Sequence, residues 1–192
     1  MPAIQLIVGL GNPGPEYEPT RHNAGFWFVD ELVQRCGQSF RSEQRSQSEV
    51  ARCLLDGNEC RLQKPMTFMN RSGQAVSALA RFFKIPLQQI LIVHDELDLP
   101  PGTIRFKKGG GHGGHNGLRD LISHLGSKDF HRLRVGIGHP GHRDQVVDYV
   151  LRKPSKEDRC QIDDAIYEAL NVVPDVLEGN FELAMNSLHV RK

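Results

Sequence analysis

The 192-residue sequence lacks any apolar run approaching the roughly 18 residues that cross a bilayer. Its opening, Met1-Pro2-Ala3-Ile4-Gln5, has no basic segment leading into an apolar cleavage region, so neither secretion nor membrane insertion is expected. Cysteines are few: Cys36, Cys53, Cys60 and Cys160 form no CxxC pair and no secreted-type framework, and they read as reduced thiols of a cytoplasmic protein. An excess of one charge is also missing. With 24 Lys+Arg against 23 Asp+Glu the net charge is +1, which argues against a strongly basic coat for nucleic acid but leaves room for a local cationic patch. Aromatic residues make up only 7%, and Trp27 and most phenylalanines sit at core-like spacings. That pattern disfavours a single-strand RNA module built on exposed stacking rings. There is no GxSxG elbow for a serine nucleophile. Tandem repeats and low-complexity linkers are absent as well, so one domain over 1–192 is expected.

Hydrophobic residues reach 39%, enough for a full core without disulfides or a structural metal. Ile4–Leu10 reads as a buried strand running into the loop Gly9-Leu10-Gly11-Asn12-Pro13-Gly14. Phe26, Phe28, Val29, Leu32 and Val33 follow at helical spacing, ended by Gly37. Val50–Leu55 and Glu59–Leu62 flank Asp56-Gly57-Asn58, a hairpin signal. Ser72, read as a capping residue, opens a helical pattern that Pro86 closes. Ile90–Val93 is a buried strand delivering His94-Asp95-Glu96 at its carboxyl end. A hairpin-like turn at Pro100-Pro101-Gly102 then leads to an alternating strand, Thr103–Lys107. Leu118–Leu125 is helical and Leu133–Ile137 is strand-like. Val146–Leu151 is a short helix, and a longer one starts near Ile162, disturbed at Pro174. Whether the segment after Pro154 packs into the core or forms a mobile lid stays open. Strands interleaved with helices imply an α/β fold, a single-domain globule with a twisted mixed β-sheet flanked by helices.

Polar clusters punctuate this scaffold at strand ends and loops: Asn12, Thr20-Arg21-His22-Asn23, Met69-Asn70, His94-Asp95 and the run Gly109–Gly117. Gly9, Gly11 and Gly14 match GxGxxG, but Pro13, Pro15 and Pro19 replace the helix that a dinucleotide site requires, and that reading is rejected. His112 and His115, with His94 and His22 in reach, leave a zinc hydrolase as an alternative, without a recognisable ligand spacing. The remaining chemistry is histidine-activated water. His22 can take a proton near neutral pH and Asp95 can fix its tautomer, while Asn12, Asn70 and Asn116 can donate to an oxyanion or orient the water. Each residue alone has a plainer explanation: a helix cap for His22, turns for Asn12 and Asn70, a strand end for Asp95, packing for Phe68 and Met69. Their conjunction favours catalysis.

The motifs Gly9–Gly14, Tyr17-x-x-Thr20-Arg21-His22-Asn23-Ala24-Gly25, Thr67-Phe68-Met69-Asn70-x-Ser72-Gly73, His94-Asp95-Glu96-Leu97-Asp98 and Gly109–Gly117 together resemble the bacterial peptidyl-tRNA hydrolase family, in order, from about Ile4 to Gly141. The resemblance implies hydrolysis of the ester joining a peptide to the terminal ribose of tRNA, which recycles tRNA from stalled translation. It implies a cytoplasmic monomer that works without metal or other cofactor. It makes His22 the general base, Asp95 its orienting partner, and Asn12, Asn70 and Asn116 the positioning amides. Tyr17 and Met69 would line the cleft with His115 on its rim, and Lys107 and Arg134, helped by Arg105, would hold the phosphate of the tRNA acceptor end. Arg132 and Arg134 share one face of their strand, and Lys108 reads as a solvated edge residue. A non-catalytic RNA-binding protein remains the second alternative; it would leave the His-Asp-Asn constellation idle.

Overall fold

The computed structural model describes residues 3–190; Met1, Pro2, Arg191 and Lys192 of the expected 1–192 domain lie outside the described residues. Seven strands form one sheet: β1 (Leu6–Gly9), β2 (Arg41–Glu43), β3 (Ser48–Leu55), β4 (Asn58–Pro65), β5 (Ile90–Glu96), β6 (Ile104–Lys108) and β7 (His131–Gly136), in the order β2-β3-β4-β1-β5-β7-β6. β4, β1, β5 and β7 run parallel, whereas β2, β3 and β6 pair antiparallel toward the edges, so the sheet is mixed. The helices are α1 (Ala24–Arg35), α2 (Ser72–Phe82), α3 (Asn116–Leu125), α4 (Val146–Val150), α5 (Lys156–Leu170), α6 (Val173–Leu177) and α7 (Phe181–Val190). Among the described residues no helix is long and apolar enough to cross a membrane.

Strand alternation divides the core in two. Ile7, Leu91, Val93 and Leu133 face a cluster with Phe28, Leu32, Ile166, Val176 and Phe181, which lie on α1, α5, α6 and α7. Leu6, Val8, Ile90 and Ile92 face α2 and α3 through Val76, Leu79, Leu118 and Leu121. The chain after Pro154 is therefore core: Ile162, Ile166, Leu170, Val173 and Leu177 are buried. Pro174 falls in the first turn of α6, where its missing N–H costs nothing, and it separates α6 from α5 rather than kinking one long helix.

The Asp56-Gly57 hairpin forms as expected, with both residues at positive φ, 49° and 81°, and with Leu55 paired to Asn58. Three sequence expectations need correction. β5 and β6 do not form a hairpin, because the loop between them crosses the end of β7. Gly136 N–H donates to the Thr103 carbonyl and Gly138 N–H to the Leu99 carbonyl, which delivers β6 to the far side of β7. Ser72 is the first residue of α2 and not its cap; its Oγ donates to the Met69 carbonyl, in the turn before the helix. Cys36 and Cys53 are joined in a disulfide, not reduced: the end of α1 lies over β3, and their Cα atoms are 5.5 Å apart. Cys60 and Cys160 are free.

Gly9 and Gly11 of the GxGxxG match serve packing. A methyl group on Gly9 would stand 2.3 Å from the Gly25 carbonyl oxygen, and one on Gly25 would stand 2.3 Å from that of Val93. Only bare backbone lets the start of α1 lie this close to the ends of β1 and β5. Gly25→Ala is expected to lower stability by ~2 kcal/mol or more through overpacking against rigid main chain. Thermal unfolding checks this, and a wild-type Tm would show that the helix can shift without cost.

Candidate active site

The close packing of α1 places the 3-10 turn Arg21–Asn23 against the carboxyl end of β5. Alternation along β5 sends the Asp95 side chain toward the α1 side and that of His94 toward α3. Asp95 is buried, and its carboxylate accepts from His22 Nδ1 at 2.9 and 3.0 Å and from His115 Nε2 at 2.8 Å. The two imidazoles differ in what remains. His115 Nδ1 accepts the Leu118 N–H as the N-cap of α3, so both its nitrogens are occupied. His22 has donated from Nδ1, which leaves Nε2 as the basic nitrogen of a ring that lines the cavity. The expected helix-cap alternative for His22 does not arise, since its side chain is committed to Asp95.

Burial by itself would lower the His22 pKa, but the charge of Asp95 and its hydrogen bond outweigh that and hold it above 6.5. Burial pushes the Asp95 carboxyl upward, and the charges and hydrogen bonds of His22 and His115 more than reverse this, so it sits well below the usual carboxylate range.

The amides are built differently. Asn12 Oδ1 accepts the Met69 N–H at 2.7 Å, which fixes the side chain with its NH2 as the free donor. Asn23, given no role of its own by the sequence, holds the Asn12 main chain on both sides: its Oδ1 accepts from Asn12 N and its Nδ2 donates to Asn12 O. Asn70 and Asn116 are exposed at the rim. They stand at the starts of the turns into α2 and α3.

These groups line one cleft of about 840 Å³. Asn12, Tyr17, His22, Met69, Asn70, Asp95, Lys107, His115, Asn116 and Arg134 are all on its wall, and Arg105 alone of the expected site residues is not. Arg105 lies opposite Arg134 in the β6–β7 register, and its Nη1 donates to the Ile104 carbonyl. Arg132 is buried, and its guanidinium donates to the Gly110 and Gly111 carbonyls, bracing the glycine loop. Sequence reasoning gave the wall little apolar character. Phe68 is 56% exposed and meets Tyr17 edge-on, and Leu97, Val146, Val147, Val150 and Leu151 also line the cleft. Phe68 is thus not a core residue, and Phe82 and Phe83 are likewise exposed, contrary to the spacing argument. Met69 is buried, as a packing role requires. His94, expected within its motif and as a candidate zinc ligand, is buried beside Asp95, where strand alternation turns it toward α3.

The zinc alternative placed weight on His112 with His115. His112 Nδ1 instead accepts the Gly114 N–H and stays within its loop. His22 and His94 both approach His115, with ring centroids at 4.9 and 5.3 Å, and donor atoms of His22, Asp95 and His115 lie within 4.8 Å of one another. Their present partners are each other's hydrogen bonds.

Because His22 is held above its unfolded value, the ion pair contributes stability below about pH 6.5 that is lost as pH rises through the raised folded pKa. A base at Nε2 must be neutral, so activity is expected to rise over that same window. Asp95→Asn removes both favourable terms and leaves burial. The His22 titration, followed by imidazole NMR, should then move below 6.5. A titration left in place would mean that Asp95 does not set the protonation of His22.

A family model described as peptidyl-tRNA hydrolase matches residues 6–192. A peptidyl-tRNA hydrolase of Halorhodospira halophila is 58% identical over 186 residues, covering 97% of this chain and 96% of its own. One from Neisseria meningitidis is 59% identical over 186 residues, with 97% of both chains covered. The crystal structure of peptidyl-tRNA hydrolase from Acinetobacter baumannii superposes with a TM-score of 0.94 at 49% identity, covering 96% of this chain and 94% of that one. With a buried carboxylate between two imidazoles, a cleft lined by three asparagines and a likeness that spans the described fold, this chain belongs to the peptidyl-tRNA hydrolase family.

Proposed function

We propose that the chain hydrolyses the ester between peptide and tRNA ribose by water that His22 activates. The carrying observation is the asymmetry of the two imidazoles on Asp95: His115 has both nitrogens engaged, whereas His22 keeps Nε2 for the cleft. Water bound at Nε2 gives up a proton to it while its oxygen attacks the ester carbonyl carbon. Asp95 fixes the tautomer and stabilises the resulting imidazolium. The carbonyl oxygen gains charge, and the Asn12 NH2, held by Met69 N–H, is the pre-oriented donor for it. Asn70 and Asn116 orient the water and the peptide from the rim. When the tetrahedral adduct collapses, the bond from carbonyl carbon to ribose oxygen breaks and that oxygen takes the proton from His22. An alkoxide leaves more readily than an amide anion, so the ester is cut and the peptide bonds survive.

Tyr17, Met69 and His115 shape the wall that holds the substrate. Arg134 and Lys107 bind the acceptor-end phosphate, and Arg105 extends the same cationic row beyond the cleft. Glu96, 3.8 Å from Arg134, keeps that guanidinium directed until phosphate competes for it. The chain itself supplies the base, its orienting carboxylate, an oxyanion donor and cations for phosphate, which supports action on peptidyl-tRNA as a monomer without a cofactor in the chemical step.

The reading is tested by release of an N-blocked aminoacyl group from tRNA in excess chelator. Wild type should turn over, and His22→Asn should lose on the order of a hundredfold or more while remaining folded. Undiminished turnover in His22→Asn would remove it as the base. Binding by wild type without turnover would favour the RNA-binding alternative, and activity restored by zinc would favour a metal-dependent hydrolase. For Lys107→Ala with Arg134→Ala, tRNA binding should weaken and the slope of log K against log salt should flatten by about one per lost contact. The single-turnover rate at saturation should change little. An unchanged slope would take both residues out of the phosphate site.

A further inference from the structure

His94 touches this machinery without a part in it. It is 2% exposed, its Nδ1 lies 2.8 Å from the Asp95 carbonyl oxygen, and its ring meets that of His115 at 5.3 Å and 73°. Since a carbonyl only accepts, the proton is on Nδ1. Nε2 is then a bare acceptor, and it is buried without a hydrogen-bond partner among the described residues.

A buried acceptor left unpaired destabilises the fold. Packing does not require that cost, because Ile92, two residues earlier on the same face of β5, fills its place with hydrocarbon. What the imidazole adds over such a side chain is the Nδ1 donor and a flat ring edge. We infer that His94 is a positioning residue for the catalytic pair: its Nδ1–H pins the main chain of Asp95, and its ring braces His115, so that the Asp95 carboxylate stays bridged between two imidazoles. The inference rests on the reading of His22 as the base.

The charged and titratable groups around His94 agree with a role that moves no proton. Burial first, then His115 and Arg132, outweigh the help of Asp95 and hold its pKa down to about 3, so it stays neutral wherever His22 titrates. A neutral ring adds no charge to compete for Asp95. Both contacts converge on Asp95, whose charge and hydrogen bond raise the His22 pKa: one holds the β5 main chain at Asp95, the other the His115 ring that shares its carboxylate. A small displacement of a positioned group is enough to cost orders of magnitude in rate.

Amide isosteres separate this from a space-filling role. In His94→Asn the side-chain NH2 can stand where Nδ1 does; in His94→Gln it moves out to the Nε2 position; in His94→Leu the donor is gone. With N-blocked aminoacyl-tRNA, the Gln and Leu variants should lose about tenfold to a hundredfold in kcat with KM little changed. Their acid limb should move to lower pH as Asp95 loosens its hold on His22. His94→Asn should keep kcat within about threefold and keep the wild-type limb. Imidazole NMR of His22 in the same variants reads the same displacement without turnover: lowered in Gln and Leu, unmoved in Asn. Wild-type rate and profile in His94→Leu, or equal loss in Asn and Gln, would overturn the inference. Should Leu fail to fold, the comparison of Asn with Gln still decides. Wild type and His22→Asn in the same assay test the base assignment separately, and the NMR arm judges His94 whatever they show.

Discussion

One ionised carboxylate buried between two histidines governs the site. Taking Asp95 out of water costs several kcal/mol, and only partners that donate to both of its oxygens make that tolerable. The same arrangement raises the proton affinity of His22, occupies His115 and draws the starts of α1 and α3 to one point at the end of β5. Catalytic readiness and local architecture are therefore aspects of one electrostatic arrangement. Removing any of the three side chains disturbs the other two.

Bringing these elements together requires main chain to touch main chain. Gly9 and Gly25 allow it between β1, β5 and α1, and the turn before α1 consequently carries His22 to Asp95 and Asn23 to Asn12. The asparagine and the histidine are thus set by neighbouring residues of a single rigid turn. Across the cleft, the buried Arg132 braces the glycine loop that ends in His115 and Asn116. Burial assigns cations of one strand to different tasks: Arg132 to the loop, Arg134 to the open cleft.

The wall of the cleft carries two kinds of group. Lys107 and Arg134, from β6 and β7, and the apolar Phe68, Leu97, Val146, Val147 and Val150 all line it. The proposed substrate, polyanion at one end and peptide at the other, would find both kinds of group on this wall.

Much of this was legible in the chain itself. Apolar runs and turn residues are local properties, so the interleaved elements, the Asp56-Gly57 hairpin and the polar clusters at strand ends could be read directly, and alternation alone put Arg132 and Arg134 on one face. The sequence by itself thus determined the α/β class, the mixed sheet and the residue types available for chemistry. Pairing over distance was not legible. Which strand β6 would join depended on a loop crossing the end of β7, and Cys36 met Cys53 because α1 happens to end over β3. The tertiary structure alone decided that His22 and not His115 keeps a free nitrogen, that Asn12 presents its NH2, and that Arg105 lies off the cleft wall. The physical reason is that hydrogen bonds and desolvation depend on positions to within a few tenths of an ångström, and such positions exist only once the packed chain has fixed them.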